Sequence, residues 1–124
     1  TKTLNTVGVE PLARQIAAGM FPEDEQEELR NAFFNRARKN PVGVYYNSFI
    51  TLMNWGIGKK IKDIKVPTLV VASDMDYTPV SLKEAYAEKM DNARVEVVSQ
   101  SRHGVTMDQP EQFNRIILNF LNNG

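Results

Sequence analysis

The chain has 124 residues, which is enough for one domain with a hydrophobic core. Its hydrophobic share of 42% and charged share of 24% are those of an ordinary soluble globular protein. Its 15 basic and 15 acidic side chains cancel, so no net field favours nucleic acid or membrane, and the lack of cysteine excludes disulfides, thiolate metal sites and cysteine nucleophiles.

The N-terminus carries no targeting signal that the sequence reveals. Residues 1–5 lack the basic region and apolar core of a signal peptide, and no apolar run is long enough to span a bilayer. We therefore expect a soluble cytoplasmic protein without nucleic-acid or membrane partners. The chain begins with Thr1 rather than methionine, which suits a fragment or a processed product.

The first half of the chain has a purely helical pattern. Apolar residues at helical spacing predict a helix over Val9–Met20. A second helix is predicted over residues 23–39, because acidic residues at its start and basic residues at its end complement the helix dipole. Asn40 as N-cap and Pro41 as first helical residue predict a third helix over residues 41–55, with its apolar residues facing inward.

The second half alternates strand, helix, strand and helix. Residues 66–72 are nearly all apolar, which is typical of a strand covered on both faces in a parallel sheet. A helix follows from Thr78 to about residue 90, and residues 94–98 predict a second strand nearer the sheet edge. Asp108 and Glu111 have the spacing of a capping box for the closing helix.

These two strands cannot form an independent sheet. An apolar strand such as residues 67–72 needs neighbours on both sides, and two parallel strands do not supply them. We therefore predict that a missing N-terminal segment, a second polypeptide or a second copy of the chain pairs with strand 67–72.

Acidic residues and the only histidine follow the two strands. Asp74 and Asp76 come after the first strand, and His103 comes after the second. In open α/β sheets, ligands bind at the carboxyl ends of the strands. A purely structural alternative has the acids cap the next helix and leaves His103 without a role. The matching positions at two strand ends, joined by one crossover, weigh against this alternative.

Residues 73–78 resemble the Asp-x-Asp-x-Thr loop of haloacid-dehalogenase-type phosphatases. That resemblance implies an aspartate nucleophile, a second aspartate as acid or base, and a bridging magnesium ion. The family also needs a lysine and an acidic metal loop far downstream. Only 46 residues follow Thr78, and they hold the aspartates Asp91 and Asp108 but no paired acidic loop after a strand.

A more extensive resemblance is to the α/β-hydrolase family. Residues 64–79 resemble its penultimate core strand and acid loop, residues 92–98 its final strand, and residues 107–113 the entry to its closing helix. The resemblance implies an α/β fold in which a helical cap or lid, residues 1–60, precedes a β-α-β-α unit of a mostly parallel sheet, residues 61–124. It implies that Asp76 is the catalytic acid and His103 the base, with Asp74 a turn or capping residue.

The sequence departs from the family pattern in one major respect. It has no Gly-x-Ser-x-Gly motif, and none of its five serines lies between a strand and a helix with small flanking residues. Arg102 also replaces the glycine that commonly precedes the histidine. The resemblance therefore implies the C-terminal part of a hydrolase of esters, lactones or similar carbonyl substrates, inactive alone. The alternative is a non-catalytic binding or assembly module.

The substrate site is less well defined by the sequence. Tyr45, Phe49 and Trp55 are candidate pocket-lining residues for a small apolar ester-like substrate, although aromatic residues at helical spacing more often belong to a core. Asp76 and His103 are too few ligands for a metal site. We therefore expect no metal and no cofactor.

Overall fold

A computed structural model describes residues 8–123 and divides the chain into two units, the first ending at Gly56 and the second beginning at Ile57. Residues 1–5, whose sequence was examined for a signal peptide, lie outside the described residues. None of the helices between residues 8 and 123 is long and apolar enough to cross a membrane.

The described part of the first unit, residues 8–56, contains three α-helices. They are α1 (Val9–Met20), α2 (Glu27–Ala37) and α3 (Val42–Asn54). The prediction for α1 is confirmed at both ends, and the helix packs against α2. Phe21 directly after α1 is fully buried, with its ring centroid 6.4 Å from that of Phe33. The buried face of α1 consists of Val9, Ala13, Ala17 and Met20.

The start of the second helix differs from the prediction. A short 3₁₀ helix, Asp24–Gln26, precedes α2, and Glu23 and Gln26 form a capping box around it. The side chain of Arg30 donates to the carbonyl oxygens of Phe21 and Glu23. These bonds satisfy backbone groups at the turn, and the chain enters α2 four residues later than the charge pattern indicates.

The third helix begins at Val42 because Pro41 is the extended N-cap residue, with φ −60° and ψ 136°. The prediction of Asn40 as N-cap is therefore wrong, and its side chain instead donates to the carbonyl oxygen of Ala37 at 2.8 Å. The expected inward apolar face is also wrong within the described residues. Leu52 and Met53 are 65% and 66% exposed, since no described element covers them.

The second unit is built on two parallel strands. A 3₁₀ helix (Gly58–Asp63) leads into β1 (Thr68–Ser73), the crossover helix α4 (Val80–Ala87) and β2 (Ala93–Val98). The register pairs the first residues of the two strands with each other and the last residues with each other. Both predicted strands are confirmed. β1 begins at Thr68 rather than at residue 66 because Pro67 has no N–H to donate to the ladder.

The expectation that β1 is covered on both faces is not met by the described residues. Leu69, Val70 and Val71 are half-buried, and only Ala72 and Ser73 at the strand end are buried. The reason is the size of the sheet, which has two strands in the described part of the chain. An apolar strand with one neighbour keeps one edge and part of its side-chain surface open.

The closing helix is preceded by one short helical turn. Residues Val105–Asp108 form α5, and Pro110–Asn123 form α6. The apolar spacing of residues 113–121 predicts an inward stripe on α6; Phe113, Ile116, Ile117 and Phe120 are half-buried, whereas Leu121 is 69% exposed. The predicted capping box is wrong, because the Asp108 carboxylate accepts hydrogen bonds from Ser101 and Arg102.

Candidate active site

The loops after β1 and β2 leave the sheet at the same edge and are bound to each other. The carboxylate of Asp74 accepts hydrogen bonds from the backbone N–H groups of Gln100 (3.0 Å) and Ser101 (3.1 Å). In return, the Met75 N–H donates to the Ser101 carbonyl oxygen at 3.0 Å. Gln100 has a φ of 54°, a left-handed conformation that is unfavourable for a side chain with a Cβ. Asp74 thus stabilises a strained turn just before His103.

The protonation equilibrium of Asp74 reflects this role. Partial burial raises the pKa of its carboxyl, but the backbone N–H groups of Gln100 and Ser101 lower it by more, so the net pKa lies below 3.8. The sequence prediction of a turn or capping residue agrees with these contacts. Both oxygens are engaged, so Asp74 is poorly suited to attack phosphorus.

Asp108 also binds the loop before His103. Its Oδ2 accepts the N–H of Arg102 at 2.8 Å, and its Oδ1 accepts the hydroxyl of Ser101 at 2.8 Å. The Ser101 hydroxyl is also 3.2 Å from that of Ser73, and both serines are buried. These two hydroxyls are structural groups and are not available as nucleophiles.

The central contact of the site joins Asp76 to His103. The Asp76 Oδ1 atom lies 2.8 Å from His103 Nδ1, and it also accepts the N–H of Tyr77 at 2.7 Å. The Asp76 side chain is 14% exposed, whereas that of His103 is 57% exposed. The carboxylate is therefore sheltered, while the imidazole reaches the surface.

The contacts of Asp76 keep it ionised. Burial raises the pKa of its carboxyl, but hydrogen bonds from Lys83, His103 and the Tyr77 N–H lower it by more, so the net pKa is below 3.8. An ionised carboxylate only accepts hydrogen bonds, so His103 Nδ1 carries the proton in this contact. In the neutral imidazole, Nε2 is then the basic nitrogen.

The Nε2 atom of His103 has no hydrogen-bond partner among residues 8–123. The Tyr77 ring lies beside the imidazole, with a centroid distance of 5.0 Å and an interplanar angle of 40°. A sheltered acid, a fixed tautomer and an open basic nitrogen form the arrangement that a general base requires.

The other predicted site residues lie in the first unit. Tyr45 and Phe49 are on α3, and Trp55 directly follows it. Tyr45 is half-buried, whereas Phe49 is 40% and Trp55 is 70% exposed. Their part in a substrate pocket remains a prediction.

Lys83 is a member of the site that the sequence analysis missed. It lies on α4, is 8% exposed, and donates to Asp76 Oδ2 at 2.9 Å. A lysine among alternating charged and apolar helix residues is typical of a solvated surface. Its position seven residues after Asp76, one helical turn into α4, is the only sequence signal that could have indicated the contact.

The phosphatase alternative does not fit this geometry. The oxygens of Asp74 are bound by backbone N–H groups, and those of Asp76 by Lys83, His103 and Tyr77. No group of three potential metal-binding side chains occurs among residues 8–123. The two aspartates therefore do not form the open acidic pair that a bridging magnesium ion requires.

No family model matches the chain, and the similar proteins include hydrolases, a peptidase, a putative 2-succinyl-6-hydroxy-2,4-cyclohexadiene-1-carboxylate synthase of Bacillus subtilis and a bromoperoxidase of Bacillus anthracis. The chain is 37% identical over 71 residues to a putative carbamate hydrolase of a Caulobacter strain, covering 56% of the chain and 26% of the relative. It is 31% identical over 71 residues to a proline iminopeptidase of Thermoplasma volcanium, covering 57% of the chain and 24% of the relative. The chain thus spans about a quarter of each of these curated relatives.

Solved structures extend the likeness over almost the whole chain. An enol-lactonase from Burkholderia xenovorans matches with a TM-score of 0.88 and 18% identity, covering 98% of this chain and 48% of that one. An esterase from Exiguobacterium antarcticum matches with a TM-score of 0.81 and 22% identity, covering 91% and 42%. At these identities the structural matches establish the fold.

Proposed function

The chain has the fold of the C-terminal part of the α/β-hydrolases, and from this premise we propose that it supplies the acid and the base of a nucleophile–histidine–acid triad. Asp76 is the acid and His103 the base. The observation that carries the proposal is the 2.8 Å contact between Asp76 Oδ1 and His103 Nδ1. The exposed ring edge of His103, opposite a sheltered carboxylate, supports it.

The proposed chemistry is acyl transfer in two steps. His103 Nε2 takes the proton of a hydroxyl nucleophile as that oxygen attacks the substrate carbonyl, and the Asp76 carboxylate stabilises the imidazolium. The imidazolium then protonates the leaving group as its bond to the acyl carbon breaks. In the second step, water attacks the acyl carbon as His103 Nε2 takes its proton, and the imidazolium returns this proton to the nucleophile's oxygen as its bond to the acyl carbon breaks, which releases the acid product and the free nucleophile.

The nucleophile and the oxyanion-hole donors are proposed to come from a polypeptide segment other than residues 8–123. The buried hydroxyls of Ser73 and Ser101 are bonded to each other, and Ser101 is also bonded to Asp108. The chain covers less than half of the matching lactonase and esterase. We therefore propose that the chain is inactive until this segment is present, and that this segment, or a second copy of the chain that supplies no nucleophile, pairs with β1.

The proposed substrates are esters, lactones or similar carbonyl compounds. The similar proteins include a putative carbamate hydrolase, an enol-lactonase and an esterase, names that denote hydrolysis of a bond to a carbonyl carbon. Residues 1–60 are proposed to act as a lid, with Tyr45, Phe49 and Trp55 lining an apolar pocket. A non-catalytic module of the same fold is the alternative.

The test is hydrolysis of a nitrophenyl ester by the assembled enzyme, meaning this chain together with the segment that supplies the nucleophile. We expect His103→Gly to lower kcat by about a thousandfold, because the general base is lost. Added imidazole should restore part of the rate in a saturable manner. The matched control is Lys65→Met, which removes an exposed surface ion pair and should leave kcat unchanged. Unaltered hydrolysis by His103→Gly would contradict the proposal.

A further inference from the structure

Lys83 occupies a position that is unfavourable for a lysine unless its partners compensate. Its residue is 8% exposed, and it lies in the first turn of α4, where the helix dipole disfavours positive charge. Burying an ammonium group without partners is costly. Here all three N–H groups have acceptors: Asp76 Oδ2 at 2.9 Å, the Thr78 carbonyl oxygen at 2.5 Å, and the Thr78 hydroxyl.

These contacts fix the orientation of the Asp76 carboxylate. Lys83 occupies Oδ2, and the Tyr77 N–H and His103 Nδ1 both lie on Oδ1. The two oxygens of Asp76 therefore have different partners, and rotation of the carboxylate would break the hydrogen bonds of both oxygens. The same ammonium also places a positive charge next to the negative charge that acts on the imidazole.

We propose that Lys83 is a positioning residue of the triad, an inference that rests on the proposed function. Its ammonium holds Asp76 with Oδ1 directed at His103. It also offsets part of the carboxylate charge, so that the imidazole remains a neutral base at lower pH than an isolated aspartate–histidine pair would allow.

Among the charged groups around Asp76 in the described residues, Lys83 is the one whose ammonium can hold the carboxylate and offset part of its charge. Within residues 8–123, α4 contributes Lys83, the loop after β2 contributes His103, and the loop after β1 contributes the Tyr77 phenol beside the imidazole. The nearby carboxylates of Asp74 and Asp108 are bound to the backbone of residues 100–102. Arg102 adjoins His103 in the chain, and its backbone N–H is held by Asp108.

The kinetic test compares Lys83→Met with Lys83→Arg in the assembled enzyme. In Lys83→Met we expect the acid limb of the kcat/KM profile to move to higher pH by about half a unit or more, because the uncompensated carboxylate favours the imidazolium. We expect kcat at neutral pH to fall about tenfold with KM changed less than about twofold. Lys83→Arg keeps the charge and should return the acid limb to its wild-type position.

Two features keep this test decisive. A loss of folded protein that is the same at each pH lowers the whole profile without moving its acid limb, so such a loss of stability does not imitate the effect. The matched control, Lys65→Met, removes a lysine that also pairs with an aspartate, Asp91 at 2.6 Å, but at an exposed surface. It should leave the acid limb in place.

A second measurement is independent of activity. The chain has one histidine, so an isotope label on this chain gives a single set of imidazole signals, even beside an unlabelled partner segment. We expect these signals to titrate at higher pH in Lys83→Met than in the wild type, and at wild-type pH in Lys83→Arg. An unchanged titration in Lys83→Met overturns the inference.

The outcomes separate this inference from the proposed function. If His103→Gly is inactive but Lys83→Met changes neither the acid limb nor the imidazole titration, the proposed triad is supported and the proposed role of Lys83 is refuted. If His103→Gly retains full activity, the triad itself falls, whatever the titration shows.

Discussion

Asp74 and Asp76 are separated by one residue and have different roles because their oxygens meet different donors. The carboxylate of Asp74 binds two backbone N–H groups of the His103 loop. The carboxylate of Asp76 binds two side chains, Lys83 and His103, that carry or can carry positive charge. Asp74 therefore orders the loop, and Asp76 acts on the imidazole that the loop presents.

This division predicts a pH-dependent stability for Asp74. Its folded pKa lies below 3.8, so its contribution to stability is fully present above pH 3.8 and is lost as the pH falls through the lower folded value. Asp74→Asn removes an acceptor and the charge. We expect the free energy of unfolding at pH 7 to fall by about 1 kcal/mol, allowing for solvent screening.

Urea unfolding at pH 7 and at pH 2.5 measures this effect. The difference between wild type and Asp74→Asn should shrink at the lower pH, because the stabilisation from the wild-type carboxylate is lost as the pH falls below 3.8 towards its lower folded pKa. Asp63→Asn is the matched control, since the Asp63 side chain makes no hydrogen bond or ion pair with residues 8–123. A difference that is equal at both pH values would refute the assignment.

The residue scale also shows what the sequence could predict of the site. The proximity of Asp76 and His103 was predictable, because parallel strands place the loops after their carboxyl ends at one edge of the sheet. The contact of Lys83 with Asp76 was not predictable. A lysine near the start of a helix is expected to be exposed to solvent unless the position of the preceding loop is known. Asp108 was assigned to a capping box by its spacing alone, whereas its carboxylate turns towards Ser101 and Arg102.

At the level of elements, the local sequence pattern predicted helix boundaries correctly where the spacing of apolar residues determines them. The helix Val9–Met20 has a strong apolar periodicity and was predicted to the residue. The start of α2 (Glu27–Ala37) was not predicted correctly, because the hydrogen bonds of Arg30 and the Glu23–Gln26 capping box form a separate turn before it. These are side-chain contacts to the backbone at a turn, which a charge gradient along a helix does not reveal.

The strand β1 carries a prediction about assembly. Its apolar residues Leu69, Val70 and Val71 are half-buried beside one neighbouring strand. We expect the backbone amides of β1 to exchange at least about tenfold more slowly once the partner segment is present, because a second neighbour closes the open edge. Hydrogen exchange followed by mass spectrometry measures this.

The internal control for that measurement is α1, whose residues Val9, Ala13, Ala17 and Met20 are already buried in this chain. Its exchange should change much less than that of β1 on assembly. Full protection of β1 in the monomeric chain, with no change when the segment is added, would contradict the prediction that strand 67–72 needs another neighbour.

At the scale of the whole molecule, the proposed function makes the described chain one part of a catalytic apparatus. The proposed acid and base, and the residues that bind them or their loops, lie in the second unit, between Asp74 and Asp108. The sequence could indicate the absence of a nucleophile elbow, because that motif is local. It could not indicate what covers the apolar residues of α3, because a pattern of apolar residues along one helix does not identify the surface that packs against it.

Ester hydrolysis by complementation tests the central claim most directly: the chain supplies the acid and the base but not the nucleophile. We predict no turnover of a nitrophenyl ester by the chain alone, and turnover when it is combined with the segment that carries the nucleophile. With His103→Gly in the chain, that turnover should fall by about a thousandfold. Hydrolysis by the isolated chain that survives His103→Gly would contradict the account.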